Sequence, residues 1–275
     1  MATTTIPWGD GSGDNIYLTY PSASGDQTVQ VSSDANTGSA RSKVVTFTSG
    51  VGNITQQLTV NQDAGETPGG RVSDYVQDGL VLHLDGKQKG NTADAWTSLV
   101  GSAVFTNHGA TFNADNVEFD GTDDYLNNTT FSSPLSGAGT IEVVLDDETF
   151  GTKLSLVFMS KTKGGLGFGK NASKHTLWSC GSASRAKPVA TLAKASFSVS
   201  NVRKYQNGVS MTTSGSDYWG NQNTTNWIGR RNTGNYFKGK IYSIRIYNKQ
   251  LTEAEVMQNL SVDNLRFNLG LTLNQ

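Results

Sequence analysis

Apolar residues recur at every second position in short runs along most of this chain, and that period constrains the fold more than any other feature. Ile16, Leu18 and Tyr20 alternate with Tyr17 and Thr19; Val29 with Val31 and Val45 with Phe47 repeat the pattern. In the run from Ile54 to Val60, Ile54, Gln56, Leu58 and Val60 face one way and Thr55, Gln57 and Thr59 the other. Later runs are Leu80, Leu82 and Leu84; Val117 and Phe119; Ile141, Val143 and Leu145; Leu154, Leu156 and Phe158; and Tyr242, Ile244 and Ile246. Successive side chains of an extended chain point to opposite faces, so each run predicts a strand with one face buried. Asn207-Gly208 marks a tight hairpin, because these residues best tolerate the positive φ angles of a type I′ turn. Strands with turn signals at this spacing predict an all-β chain of sandwich type. With 31 Gly and only 16% charged residues, the composition agrees.

Segments without the period divide the chain. Residues 1–15 are rich in Gly, Asp and Thr around Trp8 and carry too little apolar matter to fold alone, so they read as an arm with Ile6, Pro7 and Trp8 as its candidate anchor. Residues 63–72, DAGETPGGRV, combine Gly, Pro and charge like a hinge. The predicted order is an arm (1–15), a small domain (16–64), a linker (65–77), a large domain (78–260) and a strand or tail (261–275). One short helix is signed near the C-terminus. Thr252 can cap the amides of LTEAEVMQNL, Glu255 can complete the capping box, and Leu251 can staple onto Val256.

Composition narrows function as well. Lys plus Arg number 22 against 23 Asp plus Glu, and a net charge of -1 supplies no field for nucleic acid. The single Cys180 allows no intrachain disulfide and no thiolate metal cluster. The N-terminal stretch lacks the pattern of a signal peptide, and no apolar run approaches membrane-spanning length, so no membrane insertion is expected.

Two stretches resemble known families. Residues 26–64, with Asn36-Thr37-Gly38, Arg41, the strand TFTS and a closing Val60 and Gln62, resemble the BACON domain, which implies an immunoglobulin-like sandwich. Residues 78–260 resemble laminin-G-like, concanavalin A-like sandwiches. The marks are DGLVLHLDGKQKG, Trp96, VEFDGTDDYL, TIEVVL, YQNGV and above all IGRRNTGNYFKGKIYSIRIYNKQLTEAEV. The fold implied is an Ig-like domain followed by a jelly roll with one short helix, whose relatives mostly bind glycans or proteins. The opening MATTTIPWGDGSGDNIYLTY together with both parts is similar to virion proteins of tailed phages of gut Bacteroidales. That resemblance implies a capsid decoration or head fibre on the virion surface, made in the host cytoplasm. Its partners would be capsid or fibre proteins through the arm, and glycans, in a homo-oligomer. The alternative is a bacterial surface or secreted polysaccharide-binding accessory protein.

Catalysis is tested first among candidate sites, because such sandwiches also house glycosidases. Hydrolysis needs two carboxyls roughly 5 to 9.5 Å apart. In IEVVLDDE, Glu142 and Asp146 would share a face, yet four residues place their Cα atoms about 13 Å apart; Asp146 and Glu148 lie beyond the apolar part of the strand. No catalytic residue and no enzymatic activity are expected. Asp120, Asp123 and Asp124 could hold Ca²⁺, but a turn explains them as well; no cofactor or metal is otherwise expected. For glycans, aromatic rings stack on sugar C–H faces while amides and guanidinium groups supply directional bonds. The candidates are Tyr218, Trp219, Asn221, Arg230, Arg231 and Tyr236, with Trp227 and Trp96 read as core. Arg230, Arg231, Lys238 and Lys240 could form a cationic patch, although alternating strand charges usually form a solvated face. His83, His108 and His175 lack metal-ligand spacing and receive no role.

Overall fold

In this computed structural model, the residues described are 2–11, 13–20, 28–34, 36, 40–48, 55–62, 70–90, 94–132, 139–148, 155–160, 164–171, 174–179, 184–186, 194–200, 203–211, 213–214, 225–230 and 235–273. The chain forms two compact units, Met1–Arg71 and Val72–Gln275.

In the first unit, β1 (Ala2–Pro7), β2 (Asn15–Tyr20) and β3 (Gln30–Ser33) make one antiparallel sheet, and β4 (Arg41–Thr48) pairs with β5 (Thr55–Gln62) in another. The expected arm is therefore reassigned: Ile6 pairs with Ile16 across β1 and β2. Trp8 is buried with Ile16, Leu18 and Val45, and Ile6 packs against them, so of the candidate anchor only Pro7 is exposed. Short alternation within 1–7 is too weak to announce a strand; the partner strand supplies the missing hydrogen bonds. Lys43 donates from Nζ to the Trp8 carbonyl at 3.0 Å, and the Arg41 guanidinium lies 4.4 Å over the Trp8 ring while pairing with Asp10 and Asp14. Strand β5 departs from the expected one-sided burial. Leu58 is 37% exposed and only Val60 of its apolar residues joins the core, while Ile54 lies outside the described residues.

Among the described residues, the second unit contains a 3-10 turn (Val72–Asp74), seventeen further strands and one helix. The strands are β6 (Leu80–Asp85), β7 (Ala95–Thr97), β8 (Val104–His108), β9 (Thr111–Phe112), β10 (Val117–Asp120), β11 (Tyr125–Asn128), β12 (Thr140–Asp147), β13 (Ser155–Ser160), β14 (Gly164–Asn171), β15 (Lys174–Ser179), β16 (Ser184–Ala186), β17 (Ala195–Ser200), β18 (Lys204–Gln206), β19 (Val209–Ser210), β20 (Thr213–Ser214), β21 (Asn226–Ile228) and β22 (Lys238–Tyr247). One sheet runs β19-β18-β17-β12-β22-β10-β9, with β6 also on β22; the other runs β20-β16-β15-β14-β13-β21-β11-β8-β7. Leu82, Phe119, Ile141, Phe197 and Ile244 from the first share one core with Trp96, Phe105, Leu126, Phe158 and Ile228 from the second. The two sheets are thus stacked face to face as an all-β sandwich. Each such side chain contributes about 1.5–3 kcal/mol of burial. The expected hairpin is present: Asn207 and Gly208 have φ of 48° and 78° between β18 and β19.

Tyr75 and Val76, placed in the linker by the sequence, are buried in the second unit. The helix α1 (Glu253–Phe267) carries the expected capping box from Thr252 and Glu255. It continues through Phe267, so residues 261–267 are helical rather than strand or tail. Its buried side extends Val256 and Leu260 with Asn259, Asp263 and Arg266, residues three or four apart that share one helix face. These polar groups meet the outer face of the first sheet. Asp263 accepts two bonds from Arg245 at 2.7 Å and one from the Tyr75 hydroxyl at 2.8 Å, and Arg245 Nε donates to Glu142 at 3.1 Å. Asn259 Nδ2 donates to Glu142 at 2.7 Å and its Oδ1 accepts the Val76 amide at 2.8 Å. Arg266 donates to Asp85 at 2.7 and 3.0 Å.

Gly86 sits where backbone segments close on one another: a Cβ there would lie 2.1 Å from the Asp115 carbonyl oxygen and 2.7 Å from that of Tyr242. Main-chain atoms cannot swing aside as a side-chain tip can. Gly86→Ala is therefore expected to destabilise the second unit by about 3 kcal/mol, read as a lower urea midpoint with an unchanged slope; a midpoint within error of the parent refutes it.

Candidate functional site

Strands β8, β11 and β21 lie side by side in the second sheet, and their alternation sorts them into two faces. Phe105, Leu126 and Ile228 point into the core. Opposite them, register places Tyr125 beside His108 and Asn127 beside Trp227 on the outer face. His108 stacks on the Tyr125 ring with centroids 4.3 Å apart and planes 10° apart. The Arg230 guanidinium carbon lies 3.5 Å from the same centroid. Two groups that close cannot share one side of a ring, so Tyr125 is held between them.

Arg230 also lies 5.6 Å from the Trp227 ring. Its Nε is shut off from water and has no hydrogen-bond partner among the described residues. His108 Nε2 meets Asn127 Oδ1 at 2.7 Å; a proton on Nε2 makes Oδ1 the acceptor and leaves the Asn127 NH₂ to point outward as a donor. At the adjoining loop, Phe237 donates its amide to the Gly229 carbonyl at 2.7 Å. That bond ties the loop's ends together and sets Arg230 and half-buried Tyr236 at its base. Aromatic surface, an amide and a cation thus converge on one sheet face.

Of the glycan candidates read from the sequence, Arg230 belongs to this face and Tyr236 to the end of the adjoining loop, while Tyr218, Trp219, Asn221 and Arg231 lie outside the described residues. Trp96 is core. Trp227 is largely buried but belongs to the outer face, not to the core with Ile228. Tyr125, Asn127 and His108 were missed: they come from strands about a hundred residues upstream, and only the outward parity of Tyr125 and Asn127 about Leu126 hinted at them.

The carboxylates fall elsewhere. Asp120, Asp123 and Asp124 bring ligand oxygens within 4.8 Å of one another. Two of the three are occupied by the turn: Asp120 accepts the Thr122 and Asp123 amides at 2.7 and 3.3 Å, and Asp124 accepts the Asp120 amide at 2.9 Å. Those amides hold the Asp120 carboxyl below its usual range, whereas burial raises that of Asp124. Asp120 and Asp124 line a cavity of about 360 Å³ with Glu118, Glu148 and Lys238. Lys238 pairs with Glu148 at 3.2 Å, and Lys240 stands in register between Glu118 and Asp146. The two lysines are thus flanked by carboxylates and add no cationic patch to Arg230. Glu142 is buried under α1, where burial raises its pKa.

Residues 120–257 match the sequence profile Laminin_G_3, described as the concanavalin A-like lectin/glucanases superfamily. No curated protein matches the chain. Solved structures that resemble it include a mutant of Trypanosoma rangeli sialidase displaying trans-sialidase activity, with TM-score 0.52 and 10% identity over 96% of this chain and 53% of that one. Another is T. rangeli sialidase in complex with sialic acid, with TM-score 0.51 and 9% identity over 98% and 53%. A third is the binding domain of botulinum neurotoxin DC in complex with SialylT, with TM-score 0.51 and 12% identity over 68% and 52%. The chain spans about half the length of these proteins, and at such identities the likeness shows the fold alone. One expectation is corrected: the sequence reading excluded enzymatic activity, but sialidases share this fold and the matching family is described as covering glucanases. Judging catalysis from one acidic strand ignored carboxylates that different strands bring together.

Proposed function

This chain belongs to the concanavalin A-like lectin/glucanases superfamily, and we propose that its second unit binds glycans through the outer sheet face around Tyr125. The observation that carries this reading is the convergence of Tyr125, Asn127, Trp227, Arg230 and Tyr236 on one face and its adjoining loop. Sugars present C–H faces to aromatic rings and hydroxyls to amides and guanidinium groups; with both faces of Tyr125 covered and Trp227 largely buried, the exposed His108 ring and half-buried Tyr236 supply the first, and Asn127 and Arg230 the others. The ligands named with the similar structures, sialic acid and SialylT, favour the same class.

The test is a glycan array on the full chain followed by calorimetry. Asn127→Ala and Tyr236→Ala are each expected to weaken binding about tenfold, the equivalent of one lost hydrogen bond or stacking contact, with thermal unfolding unchanged. A folded chain that binds no glycan sinks the reading.

The wider role proposed is display on a virion surface, with the first unit as a BACON-like, immunoglobulin-like stem and the lectin-like unit outward, in several copies so that weak sites gain avidity. Its support is the resemblance of residues 26–64 to the BACON domain, and of the opening segment followed by both domain-like parts to phage virion proteins. Mass spectrometry of purified particles would find the chain in stoichiometric amounts, and light scattering would find an oligomer. A monomer absent from particles removes this role and leaves glycan binding standing.

A further inference from the structure

We infer that Arg230 makes the Tyr125 face selective for sugars that carry a carboxylate. The inference rests on the glycan-binding reading and specifies its ligand class.

Three other arginines meet carboxylates, whereas Arg203 reaches the Tyr205 hydroxyl at 3.5 Å. Arg41 meets Asp10 and Asp14, Arg245 meets Glu142 and Asp263, and Arg266 meets Asp85. Arg230 pairs with no carboxylate among the described residues. Asp217, the acidic residue nearest to Arg230 in sequence, lies outside the described residues; Asp123 and Asp124 belong to the turn before Tyr125, where Asp124 is spent on the Asp120 amide. The Tyr125 ring attracts the cation through its π face but accepts none of its in-plane N–H bonds.

The side chain is also held in place. The guanidinium carbon packs 3.5 Å from the Tyr125 ring centroid, and the buried Nε keeps that end of the group away from solvent. What remains to a ligand is the terminal edge, two Nη groups whose parallel N–H bonds match the two oxygens of a carboxylate. The neighbouring groups point the same way. With Oδ1 engaged by His108, Asn127 offers a donor, so the face presents donors and a positive charge that meets no carboxylate among the described residues. A neutral sugar would use the exposed His108 ring, Tyr236 and the amide; an acidic sugar would use these and also neutralise Arg230.

Calorimetry on the full chain with lactose, 3′-sialyllactose, trigalacturonate and 3′-sulfolactose separates the possibilities. The expected result is that the carboxylate sugars bind at least tenfold more tightly than lactose, with an advantage that shrinks as salt rises. Arg230→Gln should abolish that advantage, weakening the carboxylate sugars about tenfold more than it weakens lactose. Arg230→Lys, which keeps the charge and loses the fork, should retain less than a third of the advantage, and it serves as the second variant if Arg230→Gln does not fold. Equal binding of lactose and the carboxylate sugars, or a preference that survives both substitutions, overturns the inference but not the glycan reading. Equal gains for 3′-sulfolactose and 3′-sialyllactose overturn the carboxylate assignment in favour of charge alone. Failure to bind any of these sugars or any arrayed glycan overturns both.

Discussion

Replacing Asp263 with alanine should lower the unfolding free energy of the second unit by about 3–5 kcal/mol, because it strands the Arg245 cation in a site that excludes water. Arg245 is 1% exposed and Asp263 0%. The carboxylate receives both terminal nitrogens of Arg245, the Tyr75 hydroxyl and the Ser196 hydroxyl. Removing it takes away four hydrogen bonds at once. Glu142 remains, but it shares its Oε2 with Asn259 and its own pKa is raised by burial. The loss should concentrate in α1, whose amides would exchange faster in deuterium than those of β12 or β22. Arg245→Met combined with Asp263→Leu should recover most of the stability, since replacing a whole buried pair by apolar groups costs far less than halving it. A single Asp263→Ala change within about 1 kcal/mol of the parent would show that water reaches the pair.

The second large effect is acid sensitivity from His83. Its ring is fully buried, edge-on to Tyr75 at 5.1 Å, and its Nε2 lies 3.6 Å from Asp85, too far for a hydrogen bond. Burial, reinforced by Arg245 and Arg266 and opposed by Asp85, lowers its pKa from 6.5 to about 3. The unfolded chain therefore takes up a proton near pH 6.5 that the folded one refuses until about pH 3. The stability this confers is complete above pH 6.5 and drains away as pH falls towards 3, at up to about 1.4 kcal/mol per pH unit. Between pH 7 and 5 the loss is about 2 kcal/mol from this group. Glu142 works in the opposite sense, because a raised carboxyl pKa lets the folded state bind its proton first as pH drops. Comparison with His83→Leu isolates the histidine: the parent should lose about 2 kcal/mol more than the variant across that interval. Parallel stability curves would mean that His83 is charged or hydrated in the folded protein.

What the sequence by itself determined is what short-range physics controls. Alternation gave the strands of the sandwich, Asn207-Gly208 its hairpin and Thr252 with Glu255 the start of the helix, each through neighbours within a few residues. The same logic reached Arg230 and Tyr236, which flank one loop. Only the tertiary structure decided that Ala2–Pro7 is a strand, since β2 supplies its partner. It alone decided that the helix runs on to Phe267: the buried side of its second half includes Asn259, Asp263 and Arg266, whose partners Glu142, Tyr75 and Asp85 lie more than a hundred residues away, so a search for apolar periodicity stops short. It alone brought Tyr125 between His108 and Arg230. Local propensity and patterning are written in adjacent residues, whereas the burial of a charge or the stacking of a ring depends on which distant strand folding lays beside it.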